Sequence, residues 1–231
     1  EVVAGLDEAR TRRPGVPDAR LARGPGNLTR ALGITRADDG CDLTGGRVRL
    51  VVGEPVAAYV AVGSNIDPRA NVVRAVEALA REVPLDAVST FWRTDSIGPD
   101  GRPDGQADFI NGVVRVLARC DARTLKYGIL RPIEARLGRT DRAATARYAP
   151  RTIDLDLVVF GQASIDEPGL RIPSPDVERP FVAACLLELD AGLVLAGSGQ
   201  ALSCLWPGGG KWPGMTVEAE LSARLKELVA K

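Results

Sequence analysis

The stretch that most constrains this chain is Arg151-Thr-Ile-Asp154-Leu-Asp156-Leu-Val-Val-Phe160. Its run of Ile, Leu, Val and Phe predicts a buried strand over 152–160. Alternate residues of a strand point to one face, so Asp154 and Asp156 project together. Two adjacent carboxylates repel, and an apolar strand tolerates them in its core only where a cation compensates. Magnesium bridged to a nucleotide's phosphates meets that demand with oxygen ligands alone. A solvated strand end, or pairing with arginines, produces the same pattern, and spacing leaves both readings open.

Composition narrows the chemistry further. The 231 residues include no histidine, which removes a Ser-His-Asp triad, a His-ligated zinc and a His proton shuttle together. Acid–base or metal work falls to carboxylates. Lys plus Arg and Asp plus Glu number 30 each, so no whole-molecule field draws nucleic acid or an anionic membrane. A phosphate site has to be local. Cys41, Cys120, Cys185 and Cys204 show no paired spacing and read as ordinary reduced thiols acting as small apolar fillers. No stretch has the apolar length of a membrane span, and the first twenty residues are rich in Arg, Asp and Pro, where a signal peptide has an apolar core. The expectation is a cytoplasmic protein with no membrane partner. The first residue, Glu1, reads as processing or as a start inside a longer reading frame.

Glycine and proline punctuate the first 46 residues, leaving only Asn27 to Leu32 as a short capped helix. Arg47 to Val52 alternates like a strand, and Gly53-Glu54-Pro55 marks a boundary. Beyond it the pattern predicts a strand at 58–62, a helix from Pro68 to Val83 with Val72, Ala75, Val76 and Leu79 on one face, and strands at 87–93 and 109–117. The loop from Asp95 to Ala107 is long for a compact domain, as functional loops often are. Asp121 caps a helix reaching about Leu137, which Gly128 and above all Pro132 should weaken or kink. An extended piece near 170–172 and an apolar helix at 181–189 follow the aspartate strand. The order β-α-β-β-α-β predicts an α+β class protein, a ferredoxin-like sandwich. Residues 206–214, including Gly208-Gly-Gly-Lys211, read as linker, because Trp212 stands where a phosphate loop requires Ser or Thr. Thr216 to Val229 reads as an amphipathic helix with Val217, Leu221, Leu225 and Leu228 on one side. The resulting division is 1–56, 57–205 and 206–231.

Near the aspartates, Arg139, Arg142, Arg147 and Arg151 cluster with Tyr148. Such a set can clamp a polyphosphate while an aromatic ring stacks on a base, or can simply form a solvated basic loop. Gly63-Ser64-Asn65, taken alone, reads as a helix cap. Phe109 and Asn111 share a strand face, where a ring and an amide suit a flat heterocycle, although plain core packing also explains Phe109.

Five ordered segments resemble one family. Tyr59-Val-Ala-Val-Gly63-Ser64-Asn65, Phe91-Trp-Arg-Thr94, Asp108-Phe-Ile-Asn111, Ile133-Glu134-Ala-Arg-Leu-Gly138-Arg139 and Ala149-Pro150-Arg151-Thr-Ile-Asp154-Leu-Asp156 are similar to the 6-hydroxymethyl-7,8-dihydropterin pyrophosphokinases. The resemblance implies ATP and two magnesium ions, with diphosphate transfer to a pterin's hydroxymethyl group in folate biosynthesis. By motif, it implies that Asp154 and Asp156 hold magnesium and that Arg139, Arg142 and Arg151 contact phosphates. Thr94, Ile97, Phe109, Asn111 and Phe181 would form the pterin pocket. Ile133, Glu134, Tyr148, Ser174 and Arg179 would belong to the nucleotide site.

Several positions depart from the family pattern. Pro173-Ser174-Pro175 replaces a His-Pro pair, Tyr148 replaces a tryptophan, Ala149 a glycine and Asp95 a proline. A helix break at Pro132 would displace the nucleotide wall. The rival reading is a pterin- or nucleotide-binding homologue without turnover. Separately, Leu21-Ala-Arg-Gly-Pro-Gly-Asn-Leu-Thr-Arg-Ala-Leu-Gly-Ile-Thr35 with Asp39-Gly-Cys-Asp-Leu43 resembles a carboxy-terminal segment of alkyladenine DNA glycosylases. That family's catalytic residues lie upstream of the segment, so no glycosylase site is assigned and nucleic acid is not an expected partner.

Overall fold

The computed structural model describes residues 6–41, 54–100, 102–139, 149–206 and 214–229. The chain divides into two compact units, Glu1–Gly53 and Glu54–Lys231. The first holds α1 (Leu6–Arg12), α2 (Pro25–Leu32) and two short 3-10 turns. Helix α2 starts two residues before the expected Asn27 cap, with Pro25 in its first turn, and ends on left-handed Gly33. Asn27 instead bonds back to the Arg23 carbonyl. The core here is small: Ala9, Leu21 and Ala31. The strand expected at Arg47 to Val52 lies outside the described residues.

The second unit is built on an antiparallel sheet with β1 (Val56–Ser64) and β4 (Phe109–Ala118) at its centre. Strand β5 (Asp154–Phe160) flanks β1, while β2 (Leu85–Val88) and β3 (Trp92–Thr94) pair with β4 on its other side. The spatial order is that of the ferredoxin-like βαββαβ unit, with its second strand in two pieces. That strand, expected as one run, breaks at 89–91 for a local reason. Buried Ser89 accepts the Val113 N–H on its Oγ (2.9 Å) and turns the backbone, and the Phe91 ring lies on Gly112.

Helix α3 (Pro68–Glu82) packs on one sheet face with its predicted stripe. The next helix also packs there, and Pro132 does not break it. Residues Thr124–Leu130 are wound as a π-helix that continues into α4 (Arg131–Arg136). The Arg131 N–H bonds to the carbonyl of Lys126, five residues back, so the wider turn accommodates a ring that an α-helical interior rejects. A β6–β7 hairpin (Ile165–Glu167, Leu170–Ile172) follows β5. Helix α5 (Pro180–Leu189) covers part of the opposite face through Val182, Cys185 and Leu186, which join Tyr59, Val113 and Val158, and α6 (Leu202–Leu205) follows.

The final segment differs from expectation. Met215–Val217 forms a strand, β8, paired with β3, and the helix, α7, covers only Ala219–Lys226. Leu221 and Leu225 enter the core as predicted, whereas Val217 is 48% exposed. Each fully buried Leu contributes about 1.5–3 kcal/mol relative to exposure.

Candidate active site

A cleft of about 760 Å³ opens on the α5 side of the sheet, where α5 leaves the strands uncovered. Strand alternation sorts its walls. On β5, Leu155 and Leu157 enter the core beneath α3 and α4, so Asp154 and Asp156 turn into the cleft. On β4, Phe109 and Asn111 do the same while Ile110 faces the core.

At the acidic end, Asp154 is paired with both Arg139 and Arg151. Burial alone raises its carboxyl, but the two guanidiniums outweigh burial and hold it below the usual carboxylate range. Asp156 has the opposite environment. Its carboxylate makes no hydrogen bond or ion pair with the described residues; burial first, then the charges of Asp154 and Asp176, push it up to about 6, against Lys126 and Arg131. The two readings left open by the spacing thus divide between the aspartates: one is neutralised by arginines and the other is not.

Glu134 and Ile133 are not in the cleft. Ile133 is fully buried in the core below the sheet. Glu134, also buried, accepts the Leu155 N–H (2.9 Å) and pairs with Arg139 (2.5 Å) and Arg131 (3.2 Å). Burial pushes Glu134 up to about 7 in spite of these partners. It braces Arg139 from beneath, so the π-helical turn before Pro132 leaves this support intact. Arg151 is fixed through its backbone. Asn65 Oδ1 accepts its N–H (2.7 Å), the Asn65 and Ile66 N–H groups bond to its carbonyl, and Ser64 Oγ donates to the Thr152 carbonyl (2.6 Å). Gly63-Ser64-Asn65 is therefore a strut between β1 and β5. The helix cap is Asp67, in a left-handed conformation.

At the other end, Asn111 is 6% exposed and donates from Nδ2 to Thr94 Oγ1 (2.9 Å). A Cβ at residue 63 would lie 2.6 Å from Asn111 Oδ1, so glycine there lets the amide sit against β1. Ile97 and Pro99 close the rim from the long loop, which folds back through a Gly98 N–H bond to the Arg102 carbonyl (2.8 Å). Arg179 and Phe181, at the start of α5, complete the wall.

Thr94, Ile97, Phe109, Asn111, Arg139, Arg151, Asp154, Asp156, Arg179 and Phe181 thus share one cleft. Ser174 does not line it. It faces an adjoining polar hollow of about 320 Å³ with Lys126 and Asp176, and its hydroxyl caps a 3-10 turn by accepting the Asp176 N–H. Arg142, Arg147 and Tyr148 lie outside the described residues. Asp176, which reaches both hollows, and Met215 were missed. The only sequence signal for Asp176 is an acid three residues before Arg179.

The sheet and cleft define an α+β, ferredoxin-like protein whose cleft has a charged end, with Arg139, Arg151, Asp154 and Asp156, joined to an apolar and amide end, with Phe109 and Asn111. The chain belongs to the family of 7,8-dihydro-6-hydroxymethylpterin-pyrophosphokinase (HPPK), whose model matches residues 59–191. The pyrophosphokinase of Pseudomonas aeruginosa named for 2-amino-4-hydroxy-6-hydroxymethyldihydropteridine is 35% identical over 141 residues, 59% of this chain and 82% of the relative. Its namesake in Bacillus subtilis is 35% identical over 136 residues, 57% of this chain and 77% of the relative. A solved HPPK-DHPS of Plasmodium falciparum has a TM-score of 0.49 at 13% identity, over 66% of this chain and 44% of that one. A second family model, methylpurine-DNA glycosylase (MPG), matches residues 1–87. No helix among the described residues is long and apolar enough to cross a membrane.

Proposed function

We propose that the chain transfers the β,γ-diphosphate of ATP to 6-hydroxymethyl-7,8-dihydropterin, giving AMP and the pterin diphosphate in folate biosynthesis. Family membership supports the reaction class, and the observation that carries the reading is the polarity of the cleft, charged at one end and apolar with an amide at the other. Asp154 and Asp156 with Arg139 and Arg151 face one end, and Asn111, Thr94 and Phe109 the other.

The donor set fits magnesium. Asp154 and Asp156 turn into the cleft as neighbouring carboxylates, Asp156 makes no ion pair with the described residues, and the remaining positions around an ion would fall to phosphate oxygens and water. Bound there, magnesium supplies neutralisation of phosphate charge, and two ions are the expected number. In the reaction the hydroxymethyl oxygen attacks the β-phosphorus, the bond from that phosphorus to the α–β bridging oxygen breaks, and AMP leaves with the bridging oxygen. The hydroxyl proton passes to solvent. Such transfer depends on positioning and charge neutralisation more than on covalent chemistry. Arg139 and Arg151 hold phosphate oxygens, Asn111 and Phe109 orient the pterin, and Arg179 and Phe181 close the α5 side. Arg142 and Tyr148 are assigned to phosphate and nucleotide contacts by motif, and Ser174 keeps to its cap.

The deciding measurement is AMP release from ATP and magnesium with and without the pterin. Pterin-dependent AMP is expected, and Asp154→Ala and Asp156→Ala should each lower it by about 100-fold or more. Wild-type rates in both variants would refute the metal assignment. Folded wild-type protein that binds pterin and ATP yet releases no AMP would establish the homologue without turnover instead.

A further inference from the structure

The matched family region ends at residue 191, but the cleft does not: Gly214 and Met215 line it as well. Met215 lies on β8 directly opposite Thr94 of β3, and Thr94 lies opposite Phe109 of β4. Residues opposed across antiparallel strands share a sheet face. Half-buried Met215 therefore stands on the face of Thr94, Phe109 and Asn111, beyond the outer edge of the amide end.

The strand that carries it is anchored from the far side of the sheet. Glu218, 5% exposed, pairs with Arg69 of α3 (2.7 Å) and with Arg93 of β3. Its N–H bonds to the Phe91 carbonyl (2.9 Å), and the Phe91 N–H bonds to Ser222 Oγ (2.8 Å). Leu221 and Leu225 then seat α7 in the core. A three-residue strand would fray by itself; here it is clamped at the end where it turns into α7.

We propose that Met215 is a specificity-determining wall of the acceptor site, its thioether packing against the flat heterocycle, and that Glu218 is the positioning residue that holds it there. This rests on the pterin reading above. Binding of the pterin and of magnesium with a non-hydrolysable ATP analogue is to be measured separately on the full chain. Met215→Ala should weaken the pterin roughly fivefold, the scale of a lost thioether–ring contact, and leave the nucleotide unchanged. Thr216→Ala, on the opposite face of β8, should alter neither. Glu218→Gln should give the same pterin-selective loss, whereas a merely structural role would weaken both ligands together. Unchanged pterin affinity in Met215→Ala, or equal loss of both ligands, would overturn the proposal. Wild-type protein that binds no pterin would overturn the function reading and this inference together, whereas pterin binding without turnover leaves the Met215 comparison fully decisive.

Discussion

Gly63 and Gly112 lack a side chain for different reasons, and their substitutions should separate site geometry from stability. A methyl at 63 meets the Asn111 amide oxygen, the end of a side chain that can swing away. Gly63→Ala should keep most of its stability while displacing Asn111 from Thr94, raising the pterin KM and leaving that for ATP unchanged. A methyl at 112 meets three ring atoms of fully buried Phe91 at 2.7 Å, and the ring is hemmed in by the core. Gly112→Ala should cost about 1–3 kcal/mol in urea unfolding, as overpacking does. Neither glycine's partner was legible in sequence, because one contact joins β1 to β4 and the other joins β4 to the strand break at 89–91, and neither pairing is local. The paired aspartates were legible, since two-residue alternation is local. Their unequal environments were not, because Arg139, Asp176 and Lys126 come from three other elements.

Among elements, helix α3 follows from its hydrophobic period, and strands β1, β4 and β5 and helix α5 from apolar runs bounded by turn residues. The departures have identifiable physical causes. A serine hydroxyl replaces a ladder acceptor at Ser89, a π-helical turn absorbs Pro132, and Ser64 and Asn65 bind the 151–152 backbone where capping was expected. The β8–α7 segment carries its own pH signature. Burial raises the Glu218 carboxyl, but hydrogen bonds from Arg93 and Arg69 prevail, so its folded pKa lies below the ordinary 4.5. A depressed acid stabilises the fold fully above its unfolded value and loses that contribution as pH falls through the folded value. Glu218→Gln should therefore lower Tm at neutral pH and narrow its gap to wild type as pH drops below about 4.5. A gap that stays constant through that range would show that the ion pairs contribute nothing.

For the whole molecule, ligand linkage gives a test independent of turnover. Magnesium with an ATP analogue at 100 times its Kd should stabilise the fold by about 2.7 kcal/mol, a rise of about 5–10 °C in Tm for a chain of this size. Asp156→Ala should lose the magnesium-dependent part of that rise. The ferredoxin-like order could be derived from the sequence because its units are apolar runs or periodic stretches separated by Gly, Pro and Asp turn signals. The addition of β8 could not, because a three-residue strand has no period to read. That short strand also affects solubility. Without it, β3 would present unpaired N–H and C=O groups at the sheet margin, a template for another chain's strand. Capped by three residues and a turn into α7, that margin offers little length for edge-to-edge association, so the segment that narrows the cleft also guards the sheet against aggregation.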